Sequence, residues 1–256
     1  MTIKHPTRAD IPALRALWQE AFGDTDAFIQ SFFDTAFCPK RCLCLYDNIR
    51  PIAVLYFFDC LYREQPVAYF YAIATAKSHR GQGLCRKLMA EAHSVLQKKG
   101  YLGVLLVPGE QSLFRFYEKM GYQRATYHKT VTAIASQPIP FVPITKDAYL
   151  TLRLLYLPKD SVWQAGENLD FFATMTDFYK TDRSVFAIYR QQAEDKSVLV
   201  SPEFLGDSAE IPQIAAAMGF KTASMRTVGT SEPFAMYYAL KSSPLPPPTY
   251  FGWAFD

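Results

Sequence analysis

The run His79-Arg80-Gly81-Gln82-Gly83-Leu84-Cys85-Arg86-Lys87-Leu88-Met89 follows an apolar, strand-like stretch, Val67 to Thr75. Two glycines in three positions let the chain turn sharply and allow a ligand to approach the main chain. Leu84, Leu88, Ala92, Val95 and Leu96 then recur at helical spacing and make one buried stripe. The first turn of such a helix has N–H groups without intrahelical partners, and its dipole favours an anion by roughly 0.3 to 1 kcal/mol, about 2 when partly buried. Arg80, Arg86 and Lys87 add positive charge. The stretch therefore predicts strand, anion-binding turn and helix, with Arg80, Gly81, Gln82, Gly83, Leu84 and Cys85 holding a phosphate-bearing cofactor.

Two common phosphate loops are excluded. A Walker A loop needs Gly-Lys-Ser/Thr, and Gly83 is followed by Leu84 and Cys85; a dinucleotide fingerprint needs a third glycine where Arg86 stands. What remains, Ser78-His79-Arg80-Gly81-Gln82-Gly83, resembles the Q/R-x-x-G-x-G/A core motif of the GCN5-related N-acetyltransferase (GNAT) superfamily, with Ser78 departing at its first position. A second segment, an apolar strand from Leu102 to Val107 and then Phe116-Tyr117-Glu118-Lys119-Met120-Gly121-Tyr122, resembles the family's F-Y-E-K-x-G-F/Y signature. Glu110 stands where the family often has Asn.

The resemblance implies an α/β (α+β) GNAT fold, a mixed and mostly antiparallel sheet flanked by helices. It implies acetyl-CoA as donor, with its pantetheine arm between the strands near Ile73 to Thr75 and Leu105 to Val107, paired to the main chain of Ile73 and Thr75 like an added strand. Tyr117 would lie beside the sulfur and return a proton to the leaving thiolate, a transfer between groups of pKa about 10 and about 8.5. The reaction implied is acetyl transfer to a primary amine of a small molecule or peptide; the alternative is an acyl-CoA-binding sensor without turnover. Glu110, Asp59, Tyr69, Tyr71 and the terminal carboxylate of Asp256 all remain open as the base.

Composition agrees. At 256 residues and 50% hydrophobic, the chain can bury one large core or two modest ones. A net charge of +3 without long basic blocks predicts no nucleic-acid partner. Neither an apolar leader after Met1 nor a run approaching about 18 apolar residues is present, which predicts a cytoplasmic protein without a membrane span. Five cysteines, an odd number, predict reduced thiols. Cys38, Cys42 and Cys44 cluster without a C-x-x-C partner, so no metal is predicted. Cys85 is read as a packing residue rather than a reactive thiolate, and His93 as solvated or capping.

Along the chain, Asp10 should cap a helix bearing Leu14, Leu17, Trp18, Ala21 and Phe22, followed by an aromatic helix through Phe28 and Phe32. An antiparallel meander, Cys42 to Tyr46, Ile52 to Tyr62 and Val67 to Thr75, precedes the glycine turn, and a strand from Tyr122 to Ala133 closes a catalytic domain over 1–135. Pro138, Pro140 and Pro143 mark a linker over 136–145. Residues 146–243 read as a second, smaller and degenerate GNAT-like domain: aligning Met218-Gly219 with Met120-Gly121 sets Ala215 against Tyr117. A Pro-rich, aromatic tail, 244–256, either plugs a core or folds onto the first domain to bring Asp256 to the acceptor amine.

Overall fold

The computed structural model describes residues 1–190, 197–241 and 245–255; Asp256, the predicted terminal carboxylate, lies outside them. In chain order the elements are β1 (Thr2–Lys4), α1 (Ile11–Phe22), α2 (Asp26–Thr35), β2 (Cys42–Asp47), β3 (Arg50–Tyr62), β4 (Gln65–Thr75), α3 (Leu84–Lys98), β5 (Gly103–Leu106), α4 (Gln111–Glu118), β6 (Gln123–Arg124) and β7 (Tyr127–Ile134). There follow β8 (Val142–Ile144), α5 (Lys146–Arg153), β9 (Val162–Gln164), α6 (Glu167–Met175), β10 (Thr176–Lys180), β11 (Ser184–Tyr189), β12 (Val198–Gly206), α7 (Ile211–Ala217), β13 (Thr222–Val228), β14 (Glu232–Pro233) and β15 (Met236–Ala239). No helix among the described residues is long and apolar enough to cross a membrane.

The chain forms two compact units that exchange segments rather than dividing at 135. The first comprises 1–123, 166–171 and 236–246; the second comprises 124–165, 172–235 and 247–256. In the first, β2 to β4 form the predicted antiparallel meander, β1 adds to it a strand that was not predicted, β5 lies parallel to β4 after the α3 crossover, and β15 pairs antiparallel with β5. The period-2 pattern of the strands separates two faces. Leu43, Leu45, Ala53, Leu55, Phe57, Ala68, Phe70, Val104 and Leu106 bury against Leu84, Leu88, Met89 and Ala92 of α3 and Phe114 of α4. On the other face Trp18 and Phe32, from α1 and α2, pack on Tyr56 and Tyr71. Asp10 stands at the N-cap position of α1 as predicted, but its carboxylate makes no capping bond to the helix and instead accepts the Thr7 N–H (2.7 Å) and hydroxyl (2.8 Å), closing a turn before it.

The predicted strand from Tyr122 to Ala133 is corrected in place. Tyr127–Ile134 belongs to the second unit's sheet, paired with β13, while the position beside β5 is filled by Met236–Ala239 from more than a hundred residues downstream. The predicted linker is corrected too: Val142–Ile144, with Pro143 inside it, pairs with β10 at a sheet edge, where a missing N–H is tolerated.

The second unit's sheet runs β8-β10-β11-β12-β13-β7-β14, with only β12 and β13 parallel, around the α7 crossover. α7 joins two parallel strands, as α3 does and α4 does not, so the strand order gives no support to the Met-Gly alignment that set Ala215 against Tyr117. The described tail plugs this unit's core. Tyr250 donates to Glu203 (2.9 Å), Gly252 N–H donates to Gln164 (2.9 Å), and Trp253 stacks on Phe172 at 4.4 Å. Glu203, fully buried, also accepts Arg153 (2.7 and 2.9 Å) and the Tyr149 hydroxyl.

Two outcomes follow from the exchanged strand. A Cβ at Gly103 would overlap the Tyr237 ring of β15, so Gly103→Ala lowers stability by about 1 to 3 kcal/mol in urea unfolding. Expressed alone, residues 1–135 leave the β5 edge uncovered; the fragment binds the hydrophobic dye ANS and lacks near-UV circular dichroism.

Candidate functional site

β4 and β5 pair from Val67 with Gly103 to Phe70 with Leu106, and then pairing stops. β4 nevertheless continues along β3, where Tyr56 faces Tyr71 but Val54 faces Ala74, so β4 contains one extra residue. The bulge centres on Ala72, whose φ is +45°. Ala76 N–H donates to Ile52 across the sheet (2.9 Å). Because main-chain groups alternate sides along a strand, Ala74 faces β3 as well, and the main-chain groups of Ile73 and the N–H of Thr75 face away from β3, toward the gap.

Thr75 is tied to the turn beyond it. Its carbonyl accepts Arg80 Nε at 3.0 Å, and Lys77 N–H donates to Glu20 of α1 at 2.7 Å. Gly81 and Gly83 hold φ of +76° and +73°, the left-handed region that disfavours a side chain, yet no protein atom lies within 4 Å of where either Cβ would be. The glycines therefore serve the turn's conformation and leave its outer side open. The first helical bond after the turn is Lys87 N–H to Gly83, at 3.1 Å. Among the described residues, no protein acceptor receives the N–H groups from Gly81 to Arg86. Six consecutive main-chain donors next to Arg80, Arg86 and Lys87 are thus left without a protein acceptor, the feature that an anion site at a helix start requires.

Tyr117 reaches the same region from α4. It is only 8% exposed, and its hydroxyl makes no hydrogen bond among the described residues. Burial, and then the Cys85 thiol beside it, push its phenol above the usual range, so it stays protonated and available as a donor. Cys85 sits in the first turn of α3, 3.9 Å from Met89 Sδ, and burial pushes its thiol up to about 11, the opposite of a reactive thiolate. The structure thus gathers Ile73, Leu84, Cys85 and Tyr117 into one core cluster and ties Thr75 to Arg80.

His93 is not the solvated residue predicted. It accepts or donates at 2.7 Å to the Tyr122 hydroxyl and lies stacked between Phe70 (5.7 Å) and Tyr238 (4.2 Å). Burial pushes it down to about 4, so the ring is neutral above pH 5. Sequence periodicity put His93 on the helix but gave no sign of its three neighbours.

The predicted base candidates separate. Asp59 accepts from Tyr101 and pairs with Arg41 at 3.4 Å, whereas Glu110 is exposed at the start of α4 and accepts only Ser112, at 3.3 Å. Tyr69 and Tyr71 pack with Phe58 on the α1–α2 face of the sheet. Cys42 and Cys44 meet at 3.8 Å between sulfurs, with burial pushing the Cys42 thiol up; among the described residues no group of three His, Cys, Asp or Glu could hold a metal.

Residues 2–125 match the family model for an acetyltransferase (GNAT) domain. No curated protein matches the chain in sequence. Among solved structures, Eis1 from Mycobacterium abscessus superposes with a TM-score of 0.68 at 11% identity, covering 94% of this chain and 74% of that one. A conserved protein from Enterococcus faecalis, described as a probable N-acyltransferase, gives 0.72 at 13% identity over 94% and 72%. A GCN5-related N-acetyltransferase from Anabaena variabilis gives 0.71 at 13% over 94% and 73%. These likenesses show the fold, and they extend it across both units.

Two titrations check the site's electrostatics. Alkylation of Cys85 by iodoacetamide should be slow at pH 8, where about 0.1% is thiolate, and rise about tenfold per pH unit toward 11. His93 is held below its unfolded pKa of about 6.5, so the unfolded state binds the extra proton and stability falls as pH drops from 6.5 through 4, by roughly 3 kcal/mol in full. Urea unfolding of His93→Phe across that window should lack this share of the acid loss.

Proposed function

We propose, from the membership of residues 2–125 in the acetyltransferase (GNAT) domain family, that the chain is an N-acetyltransferase that moves acetyl from acetyl-CoA to a primary amine of a small molecule or peptide. The observation that carries this reading is the gap between β4 and β5, which leads to a turn of six unpaired amides with Tyr117 at its flank. The site fits the donor at both ends. Amides around Gly81, Gln82, Gly83, Leu84 and Cys85, with Arg80, suit a pyrophosphate, and the gap-facing groups of Ile73 and Thr75 suit an amide-bearing arm. Acetyl-CoA would supply an activated thioester.

The protein's own part is binding, orientation and proton transfer. An N–H of the Ile73 to Thr75 segment polarises the thioester carbonyl, since it faces the gap and is fixed before binding. Tyr117 Oη donates to the departing sulfur. Its raised proton affinity matters less than it would in water, because the same burial raises that of the thiolate. Arg80, held on Thr75, fixes the end of β4 against the turn that binds the phosphates. The attacking amine, with a pKa near 10, is only about 0.1% neutral at pH 7, so its proton must leave through a base or water. Of the predicted bases, Asp59 is committed to Arg41 and Tyr101, whereas Glu110 is exposed at the start of α4.

The second unit is read as a copy of the same fold without the site. Its sheet repeats the first unit's order and senses, but Asp207, Glu210 and Pro212 stand at the start of α7 where the first unit has its glycine turn. Between β13 and β14 no helix corresponds to α4, so the position of Tyr117 is missing and not merely substituted.

Calorimetric titration should detect acetyl-CoA binding, and thiol release with spermidine, free lysine and a peptide N-terminus as acceptors should identify turnover. Tyr117→Phe should lower kcat by about 10²-fold with KM for acetyl-CoA nearly unchanged. Binding without turnover on a wide amine panel would favour the sensor reading, and an undiminished kcat would remove Tyr117 from the chemistry.

A further inference from the structure

Tyr117 needs more than a place on α4, because that helix is short and its hydroxyl is held by no hydrogen bond. Its ring meets Phe116 and Tyr122, both within the acetyltransferase signature, and Tyr122 is held in turn by a set of rings that the signature does not include. Tyr122 follows the Gly121 turn, its N–H returns to the Tyr117 carbonyl at 3.2 Å, and its ring meets the Tyr117 ring edge-on at 5.8 Å and 63°. The far end of Tyr122 is fixed by the 2.7 Å hydrogen bond to His93 Nε2. His93 is fixed in turn by near-parallel stacking, 12° to Phe70 and 13° to Tyr238.

Each contact has a position in the site. Phe70 is the last β4 residue paired with β5 before the gap opens, and Tyr238 belongs to β15, the strand that covers β5 from its other side. Cys85, Met89 and His93 are spaced by four along α3 and so share one face; Cys85 lies beside Tyr117 and His93 beside Tyr122. The ring of Tyr117 is thereby referenced to the point where the sheet parts and to the helix that carries the anion-binding turn.

We infer that His93 and Tyr122 are positioning residues that fix the Tyr117 ring, and through it Tyr117 Oη, relative to the β4–β5 gap. The inference rests on the proposed role of Tyr117. Neither residue touches the reacting atoms. A side chain free to swing loses the alignment that proton donation requires, so the effect falls on turnover and not on donor affinity.

The test is a mutant cycle. Tyr122→Phe removes a single oxygen, and His93→Phe keeps the stack while losing the hydrogen bond. Turnover is read as acetyl-CoA-dependent thiol release with the fastest acceptor of spermidine, lysine and peptide. Where none reacts, the readout is the affinity for CoA relative to desulfo-CoA, which isolates contacts to sulfur. Each single variant should lower kcat about 5- to 30-fold with KM for acetyl-CoA within about twofold, or narrow the CoA preference, and the pair should cost no more than either alone. In a Tyr117→Phe background neither change should have any further effect. Equal losses in both backgrounds, or no loss beside an intact Tyr117, would overturn the inference while leaving the role of Tyr117 standing. If Tyr117→Phe itself changes neither turnover nor CoA preference, the proposed role of Tyr117 fails and takes this inference with it. Melting temperatures of the variants separate a loss of folding from a loss of alignment.

Discussion

The site depends on a single irregularity in the sheet, the extra residue at Ala72. A non-glycine residue at positive φ costs on the order of 1 to 2 kcal/mol, and here the strand resumes its pairing with β3 on both sides, so the bulge is held between Tyr71 and Ala74. One added residue shifts the alternation of the strand by one. Ile73 consequently joins the side-chain core shared with α3, and the main-chain groups of Ile73 and the N–H of Thr75 turn away from β3.

The bulge also explains why the glycine turn is where it is. β4 must end on the open side of the sheet and α3 must begin there, and residues Ala76 to Gly83 bridge that distance with a single helical turn and two left-handed glycines. Arg80 and Glu20 stiffen the bridge from opposite sides, one through the Thr75 carbonyl and the other through the Lys77 N–H. The amides of the first α3 turn have no intrahelical partner, as at any helix start, and among the described residues no other protein acceptor takes them. Preorganisation of this kind needs no movement when an anion arrives.

How much of this could be read from residues alone follows the range of each interaction. The meander, the α3 stripe and the glycine turn are carried by spacing within about a dozen residues, and all are present, whereas Tyr117 is picked out only by resemblance to the family signature. Ala72 was not legible, because alanine has no preference for the left-handed region and the bulge is imposed by pairing on both flanks. The fate of Tyr127–Ile134 was not legible either. Its alternating pattern fits any half-buried strand, and whether it pairs with β5 or β13 is settled by the competition with Met236–Ala239, a choice between two long-range pairings of similar local chemistry. His93 illustrates the same limit at one side chain. Its helix position was evident, but its environment comes from β4, β15 and the turn after α4.

The two units show how one topology can be completed in different ways at the same place. In the second unit the segment before α7 is closed by its own side chains. The Glu210 carboxylate, 4% exposed, accepts Thr181 (2.6 Å), Ser184 (2.7 Å) and Arg183 (3.3 Å), and Asp207 caps Ala209 at 2.9 Å. Negative charge is thus supplied from within, and the helix start needs no outside anion. In the first unit the corresponding segment has no acidic residue between Thr75 and Arg86, and its amides remain open. A buried carboxylate that is already fully hydrogen-bonded stabilises a fold; open amides on an exposed turn stabilise it only when something binds. On the proposed reading of the second unit as a copy of the first, this contrast between the two helix starts supports the proposal that the turn at Gly81 binds a ligand.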